Sequence, residues 1–288
     1  MKAAILFILM SVTAFNTAIA QKDLESDTNE LSVSLELPKI KVIPIKDTQA
    51  DRQYELYIKL PEEYSDSIQN RYPVIYYTDA MWHVEILSGS AEFIMENAIL
   101  VGISWQKDIN EDLKNEVGEH VSRYRDYTIR KTTNQERQAK YQFGQAANHL
   151  AFIRDDVIKY VENNYRTYPE KRTYFGYSAS GLFGAYILME QPDTFKNYIL
   201  GSPSLRGDIP HLSKLGSNTS SNAANVFVTN GTEEEELNAL IKEFAALLKN
   251  KNDQSLSLQH EVIEGSHQTA FPMTAVNGII WLSNLMKE

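Results

Sequence analysis

Hydrophobic and polar positions along the chain predict first a pair of strands and then strands that are separated by helices. Residues 32–45 and 52–61 alternate apolar and polar side chains, a pattern typical of half-buried strands that pair antiparallel. Residues 72–79 and 98–105 are nearly continuous apolar runs separated by a helical stretch. Such runs indicate interior parallel strands that are covered on both faces. We therefore predict an antiparallel entrance that leads into a parallel sheet.

The second half of the chain continues as helix and strand in turn. Residues 148–165 place Leu150, Ile153, Val157 and Val161 on one helical face. Further strands are predicted at residues 171–177, 197–204, 225–231 and 256–265, and further helices at residues 181–191, 237–248 and 271–286. This order predicts an α/β fold with a mostly parallel central sheet and helices on both faces.

Residues 106–147, which we call the excursion, interrupt this alternation. They are strongly charged and lie between a predicted strand and the next predicted helix. Segments of this length in compact domains usually cover a site or bind a ligand, so we interpret the excursion as a partial lid. The alternative is a helical excursion whose charges face solvent.

The first 20 residues have the pattern of a secretory signal peptide. Lys2 supplies the positive start, an apolar run extends to about Phe15, and Ala18 and Ala20 occupy the small positions before a cleavage site. The apolar run is shorter than the ~20 residues that cross a bilayer. We therefore expect a cleaved leader, no membrane span, and a periplasmic or secreted protein.

Composition and charge restrict the remaining possibilities. The chain has no cysteine, which excludes a disulfide framework and a lipid-modified N-terminal cysteine. Its formal net charge of -10 argues against a general affinity for nucleic acid or for an anionic membrane surface. The length that remains after the leader suits one large domain, so we predict a single domain over residues 21–288.

The stretch YFGYSASGLFGAY, residues 174–186, centres on Ser178 and passes from a strand pattern into a helix pattern. A nucleophile elbow needs small residues two positions before and after the serine, because the sharp turn leaves no space for larger side chains. Gly176 and Ser180 meet this need, although Ser180 stands where the G-x-S-x-G motif has its second glycine. The alternative is a strand-to-helix turn without chemistry.

A serine nucleophile needs a base and an acid that follow it in the chain. His267 lies directly after the last predicted strand and before the final helix, where a hydrolase of this class carries its base. The acid is expected after the preceding strand, where Glu233, Glu234, Glu235 and Glu236 are consecutive. We select Glu234, three residues after Gly231, but acidic residues in a first helical turn also complement the helix dipole without catalysis. The sequence leaves the four glutamates open.

Several strings resemble the esterase family of α/β-hydrolases that includes enterobactin, feruloyl and acetyl-xylan esterases, S-formylglutathione hydrolases and mycolyltransferases. They are YELYIKLPEEY, YPVIYYTDAMW, FIRDDVIKYVENNYRT, GYSASGLFGAYILMEQPDTFKNYILGSPSL and EGSHQTAFPMTAVNGIIWL. The resemblance covers nearly the whole chain after the leader. The enterobactin esterase branch is nearest, through the helix before the elbow, the S-P-S string and the secretory signal.

The resemblance implies an α/β-hydrolase fold and an exported serine esterase without metal or organic cofactor. It implies that Ser178 attacks a small-molecule ester to form an acyl-enzyme and that His267 acts as base and then as acid. It also implies that the backbone N–H groups of Met81 and Ala179 hold the oxyanion, with Ala80 in place of a family glycine. A siderophore trilactone is the suggested ester. The alternatives are a feruloyl or acetyl carbohydrate esterase and a catalytically inactive hydrolase that serves as a binding module.

The second half of the excursion is basic within an acidic chain. Its cations are Arg123, Arg125, Arg130, Lys131, Arg137 and Lys140, against Asp126 and Glu136. We interpret Arg130 and Lys131 as contacts of an anionic ester, because arginine binds planar anions well and a local positive field raises encounter rates. The alternative is a solvated face whose charges pair with acids elsewhere.

Overall fold

One eight-stranded sheet runs through the protein in a computed structural model that describes residues 39–67, 69–215, 223–251 and 256–287. The strands are β1 (Ile40–Asp47), β2 (Arg52–Lys59), β3 (Tyr72–Tyr77), β4 (Ile99–Ile103), β5 (Thr167–Tyr177), β6 (Asn197–Gly201), β7 (Ala224–Gly231) and β8 (Leu256–Ile263). The predicted leader and the first part of the first predicted strand lie outside the described residues. The predicted boundary of a single domain at residue 21 therefore stays a prediction.

The strand order is β1-β2-β4-β3-β5-β6-β7-β8. Strand β2 pairs antiparallel with β1 and β4, and all other neighbours pair parallel. Strands β3, β4 and β6 are buried along their whole length, which is why their sequences are continuous apolar runs rather than alternating ones. The prediction of a mostly parallel sheet with an antiparallel entrance is confirmed.

Helices cover both faces of this sheet. They are α1 (Ala80–Ile94), α2 (Glu111–Val117), α3 (Arg123–Asp126), α4 (Gln135–Tyr141), α5 (Ala146–Phe152), α6 (Lys159–Asn164), α7 (Ala179–Glu190), α8 (Ile209–Leu212), α9 (Glu235–Lys251) and α10 (Phe271–Leu285). A π-helical segment, Ile153–Ile158, joins α5 to α6 and makes one continuous helical stretch. None of the helices in the described part of the chain combines the length and apolar character that a membrane span requires.

Two apolar cores lie on opposite faces of the sheet. Helices α1 and α10 pack together and supply Val84, Leu87 and Ile279 to one core. Helices α5, α7 and α9 supply side chains such as Leu150 and Phe244 to the other core. The carboxyl ends of the parallel strands consequently meet at one edge between the two helical layers, where open α/β sheets carry their ligand sites.

Candidate active site

Ser178 lies at the sharp turn between β5 and α7. Its backbone has φ 60° and ψ -118°, a left-handed conformation that a residue with a side chain adopts only when its surroundings enforce it. The Ser178 N–H donates to the carbonyl of Gly201 at the end of β6, 2.9 Å away. A Cβ on Gly176 would collide with the Ser180 carbonyl oxygen, so the turn depends on glycine there. The predicted elbow is therefore present as a strained turn that presents a half-buried serine.

Ser180, which replaces the second glycine of the motif, faces into the protein. Its hydroxyl accepts a hydrogen bond from the N–H of Tyr177 and donates one to the Tyr177 carbonyl, both at 2.9 Å. The residue is fully buried. The hydroxyl therefore stabilises the turn through the backbone of Tyr177, and serine in place of the second glycine is compatible with the elbow.

The structure brings His267 to Ser178 and Glu234. The Nε2 atom of His267 is 3.0 Å from Ser178 Oγ, and its Nδ1 atom is 2.7 Å from Glu234 Oε1. Because an ionised carboxylate only accepts hydrogen bonds, Nδ1 carries the ring proton and Nε2 is left as the acceptor for the serine hydroxyl. This tautomer is the one that a general base beside a serine nucleophile needs.

Glu234 is the glutamate of the acidic run that contacts His267. Its Oε2 atom accepts hydrogen bonds from Ser202 Oγ at 2.7 Å and from the Gly231 N–H at 2.8 Å. Burial raises the pKa of the Glu234 carboxyl, but these two donors and His267 together hold that pKa below its ordinary value. Glu234 is therefore ionised near neutral pH and can stabilise a protonated imidazole.

Gly231 explains why this carboxylate reaches the histidine. A Cβ at Gly231 would collide with the carbonyl oxygen of Gly265, in the loop that carries His267. The N–H of Glu233 donates to that same carbonyl at 3.1 Å. The loops after β7 and β8 thus touch backbone to backbone, which sets the Glu234 side chain against His267. Another member of the run, Glu236, instead pairs with Arg206.

Three residues of this site, Tyr177, Ser202 and Ser204, were missed by the sequence analysis. The Tyr177 hydroxyl donates to the His267 carbonyl at 2.6 Å and lies 3.0 Å from Ser202 Oγ. Ser202 and Ser204 are the two serines of the S-P-S string, and Ser204 Oγ is 3.4 Å from Ser178 Oγ. The S-P-S string was noted as a family feature, but its position after β6 gave no indication that both serines approach the same site.

The loops after β3 and β5 lie side by side, because these two strands are neighbours in the sheet. Met81 is the second residue of α1, and Ala179 is the first residue of α7. At these positions their N–H groups lack acceptors within their own helices. Tyr174 joins the two loops through its hydroxyl, which is 3.0 Å from Thr78 Oγ1 and 2.9 Å from the Ser180 carbonyl oxygen. This placement is compatible with the predicted pair of oxyanion donors.

Ala80 fits where the family has glycine, because the left-handed residue of this loop is Asp79, with φ 57° and ψ 42°. The buried Asp79 carboxylate accepts from Trp105 Nε1 at 2.6 Å and from Arg123 Nε and Nη2 at 2.7 and 3.0 Å. Arg123 belongs to the excursion. One cation of the basic segment therefore points inward and holds the loop between β3 and α1.

The other cations of the basic segment are mostly paired. Arg125 binds Asp126, Lys140 binds Glu116, and Arg130 binds Asp208. Lys131 is exposed and forms no ion pair within the described residues. Arg130 and Lys131 line a cavity of about 320 Å³ whose lining residues do not include Ser178 or His267.

Across the described ranges, no group of three or more histidine or acidic side chains is arranged to hold a metal ion.

Comparison with known proteins places this geometry in context. The family model described as "Putative esterase" matches residues 48–272. Ferri-bacillibactin esterase BesA of Bacillus subtilis (strain 168) is 27% identical over 193 residues, which are 62% of this chain and 63% of that protein. The chain thus spans less than two thirds of the length of this curated relative.

Solved structures share the architecture. The BES protein from Bacillus cereus superposes with a TM-score of 0.71 at 22% identity, covering 87% of this chain and 98% of that chain. The siderophore hydrolase EstB from Aspergillus nidulans gives 0.69 at 17% identity, covering 87% and 96%. An IroE-like serine hydrolase from Shewanella oneidensis gives 0.70 at 21% identity, covering 85% and 80%. These likenesses establish the fold as that of the α/β-hydrolases.

Proposed function

The chain belongs to the family described as "Putative esterase", and from this membership we propose that it hydrolyses carboxylic esters through an acyl-enzyme on Ser178. The observation that carries this proposal is the hydrogen-bonded series from Ser178 through His267 to Glu234. An inactive hydrolase retained as a binding module would have no use for a serine, an imidazole and an ionised carboxylate aligned at these distances.

Ser178 Oγ attacks the ester carbonyl carbon while His267 Nε2 takes the hydroxyl proton. The carbonyl oxygen becomes negative and accepts hydrogen bonds from the N–H groups of Met81 and Ala179. The carbon–oxygen bond to the leaving alcohol then breaks, and His267 returns the proton to that alcohol. Water repeats both steps on the acyl-enzyme and releases the acid. Glu234 stabilises the imidazolium that forms in each half of the reaction.

We propose a siderophore ester as the substrate. BesA is named as a ferri-bacillibactin esterase and EstB as a siderophore hydrolase, and both resemble this chain. We also propose export, on the pattern of residues 1–20. Arg130 and Lys131 remain proposed contacts of an anionic substrate; the ion pair with Asp208 competes with this role for Arg130.

A panel of esters assayed with the purified protein and its Ser178→Ala variant tests the proposal. The panel contains a ferric catecholate trilactone, the iron-free trilactone, a feruloyl ester, acetylated xylan and p-nitrophenyl acetate. We expect the highest kcat/KM for a trilactone and no activity in the variant. Preference for the feruloyl ester or acetylated xylan would indicate a carbohydrate esterase. Trilactone binding without hydrolysis of any ester would indicate a binding module.

A further inference from the structure

Trp82 exposes 49% of its surface in the first turn of α1, one residue after the predicted oxyanion donor Met81. The neighbouring Trp105 is only 7% exposed. Because the Cα–Cβ bonds of a helix tilt toward its N-terminus, the Trp82 side chain leans toward the sheet edge that carries Ser178. An indole with this much exposed surface, placed at this edge, is accessible to a substrate.

Three side chains contact the Trp82 ring. Its centroid is 4.7 Å from that of Trp105, in an edge contact at 72°, and 5.3 Å from that of His120. The guanidinium carbon of Arg123 lies 4.7 Å from the same ring centroid. Arg123 is in turn anchored by its two hydrogen bonds to buried Asp79. Because these contacts already order the Trp82 side chain, little further conformational entropy is lost when its ring stacks on a second ring.

The distance to the nucleophile suits a substrate with an aromatic arm. Trp105 follows β4 and Ser178 follows β5, with β3 between them. Neighbouring strands are ~4.8 Å apart, so two steps across the sheet are about 10 Å. On this estimate, an aromatic group a few bonds from an ester carbonyl at Ser178 lies within reach of the contacting pair Trp82 and Trp105.

We propose that Trp82, Arg123 and His120 form an aryl subsite, which binds an electron-rich or anionic aromatic ring attached to the ester substrate. The indole offers exposed surface for stacking with an electron-rich ring, and Arg123, whose charge is paired with Asp79, fixes the indole in place. The subsite rests on the proposed ester hydrolysis, which it deepens by naming an aromatic recognition element. It does not involve Arg130 and Lys131, which line a cavity whose lining residues include none of Trp82, Arg123 and His120.

The test compares two esters that differ only in their acyl amide: N-(2,3-dihydroxybenzoyl)serine methyl ester and N-acetylserine methyl ester. Trp82→Ala should lower kcat/KM for the aryl ester about tenfold, a typical worth of one aromatic stacking contact, and change the acetyl ester less than twofold. Trp82→Phe should retain most of the aryl preference. The matched control is Phe93→Ala, which removes an aromatic ring, 85% exposed, from the far end of the same helix and should change neither ester.

Equal losses on both esters would mean that Trp82 only shields the ion pair of Asp79 and Arg123, and would overturn the subsite. An unchanged aryl ester would do the same. A binding measurement separates this result from failure of the proposed function. Calorimetry of N-(2,3-dihydroxybenzoyl)serine with Ser178→Ala, alone and combined with Trp82→Ala, needs no turnover. Binding that weakens about tenfold in the double variant supports the subsite even where the wild type cleaves neither ester, and equal binding rejects it.

Discussion

Ser202 donates its hydroxyl proton to Glu234 Oε2 at 2.7 Å. The Tyr177 hydroxyl uses its own proton on the His267 carbonyl at 2.6 Å. The two hydroxyl protons are thus both used in these bonds. The third close contact, between Tyr177 Oη and Ser202 Oγ, has no proton of its own and is the longest of the three at 3.0 Å. One hydroxyl therefore fixes the carboxylate and the other fixes the main chain of the base.

Removal of either Ser178 or His267 should abolish most of the rate. Ser178→Ala and His267→Ala should each lower kcat by roughly 10³ to 10⁶ fold, and the double variant should be little worse, because the two residues act as one unit. A fluorophosphonate probe should label Ser178, as peptide mapping can show. The control is Ser204→Ala, which removes the hydroxyl 3.4 Å from Ser178 Oγ and should leave labelling intact. An adduct on Ser180 or Ser204 would contradict the assignment.

Glu234→Gln should lower kcat by about 10² to 10⁴ fold, less than loss of the base, because an amide can still touch His267 but cannot stabilise its charge. Steady-state kinetics of Glu233→Gln and Glu235→Gln provide matched controls within the same run. A greater loss in either control would show that the wrong carboxylate has been selected.

The same variant should alter acid stability. The pKa of Glu234 in the folded protein is below its ordinary value of 4.5. The ionised carboxylate therefore makes its full contribution to stability above about pH 4.5, and this contribution is lost as the pH falls through the folded-state pKa. Denaturant unfolding across pH should therefore show a wild-type advantage over Glu234→Gln that shrinks on acidification. An advantage that grows below pH 4.5 would be inconsistent with this carboxylate.

Ser202→Ala should lower kcat about tenfold with little change in KM, since the lost hydrogen bond orients Glu234 rather than substrate; one such bond to a charged group is worth about 1.5 kcal/mol or more. Ser202 has φ 38°, so Ser202→Gly removes the hydroxyl while relaxing the backbone and serves as the control. Equal kcat losses in both variants would assign the effect to the hydroxyl. A normal rate in Ser202→Gly would show that the hydroxyl is not needed to orient Glu234.

Arg123→Gln should destabilise the protein by about 3–5 kcal/mol, because it leaves the fully buried Asp79 carboxylate without its cation. Asp79→Asn in the same chain should restore much of that loss, since the neutral amide has no charge to compensate. Urea unfolding of the two single variants and the double variant measures the coupling. Additive losses would show that the two side chains do not depend on each other.

Lys131→Gln should raise KM for an anionic ester and weaken its salt dependence while leaving a neutral ester unchanged, if this cation attracts substrate. Arg130→Gln should act in the same direction, although it also unpairs Asp208. Lys41→Gln makes the same charge change at the exposed far edge of the sheet, on β1, and is the control. Equal effects on charged and neutral esters would remove Arg130 and Lys131 from the substrate site.

The α/β class and the turn at Ser178 were predictable because they depend on neighbours in the sequence. The apolar runs of β3, β4 and β6 follow from burial on both faces, and a strained turn needs small residues within two positions of the serine. His267 was recognisable because it directly follows the last strand. Each of these features depends on a short stretch of consecutive residues and can therefore be recognised from the sequence alone.

Partners that are far apart in the chain were decided only by the tertiary structure. Nothing in the local sequence distinguishes Glu234 from its acidic neighbours. The contact between the loops after β7 and β8 distinguishes it, because it brings Glu234 to His267, 33 residues later in the chain. Arg123 belongs to a basic segment for which the sequence left two interpretations, contact with an anionic ester or a solvated face whose charges pair with acids elsewhere. The structure pairs Arg123 with the buried Asp79, 44 residues away, and the sequence did not identify this acid. Hydrogen bonds and ion pairs form only when the distance between their atoms is correct to within a few tenths of an ångström. Residues remote in sequence reach such distances only once the sheet has placed their loops at one edge.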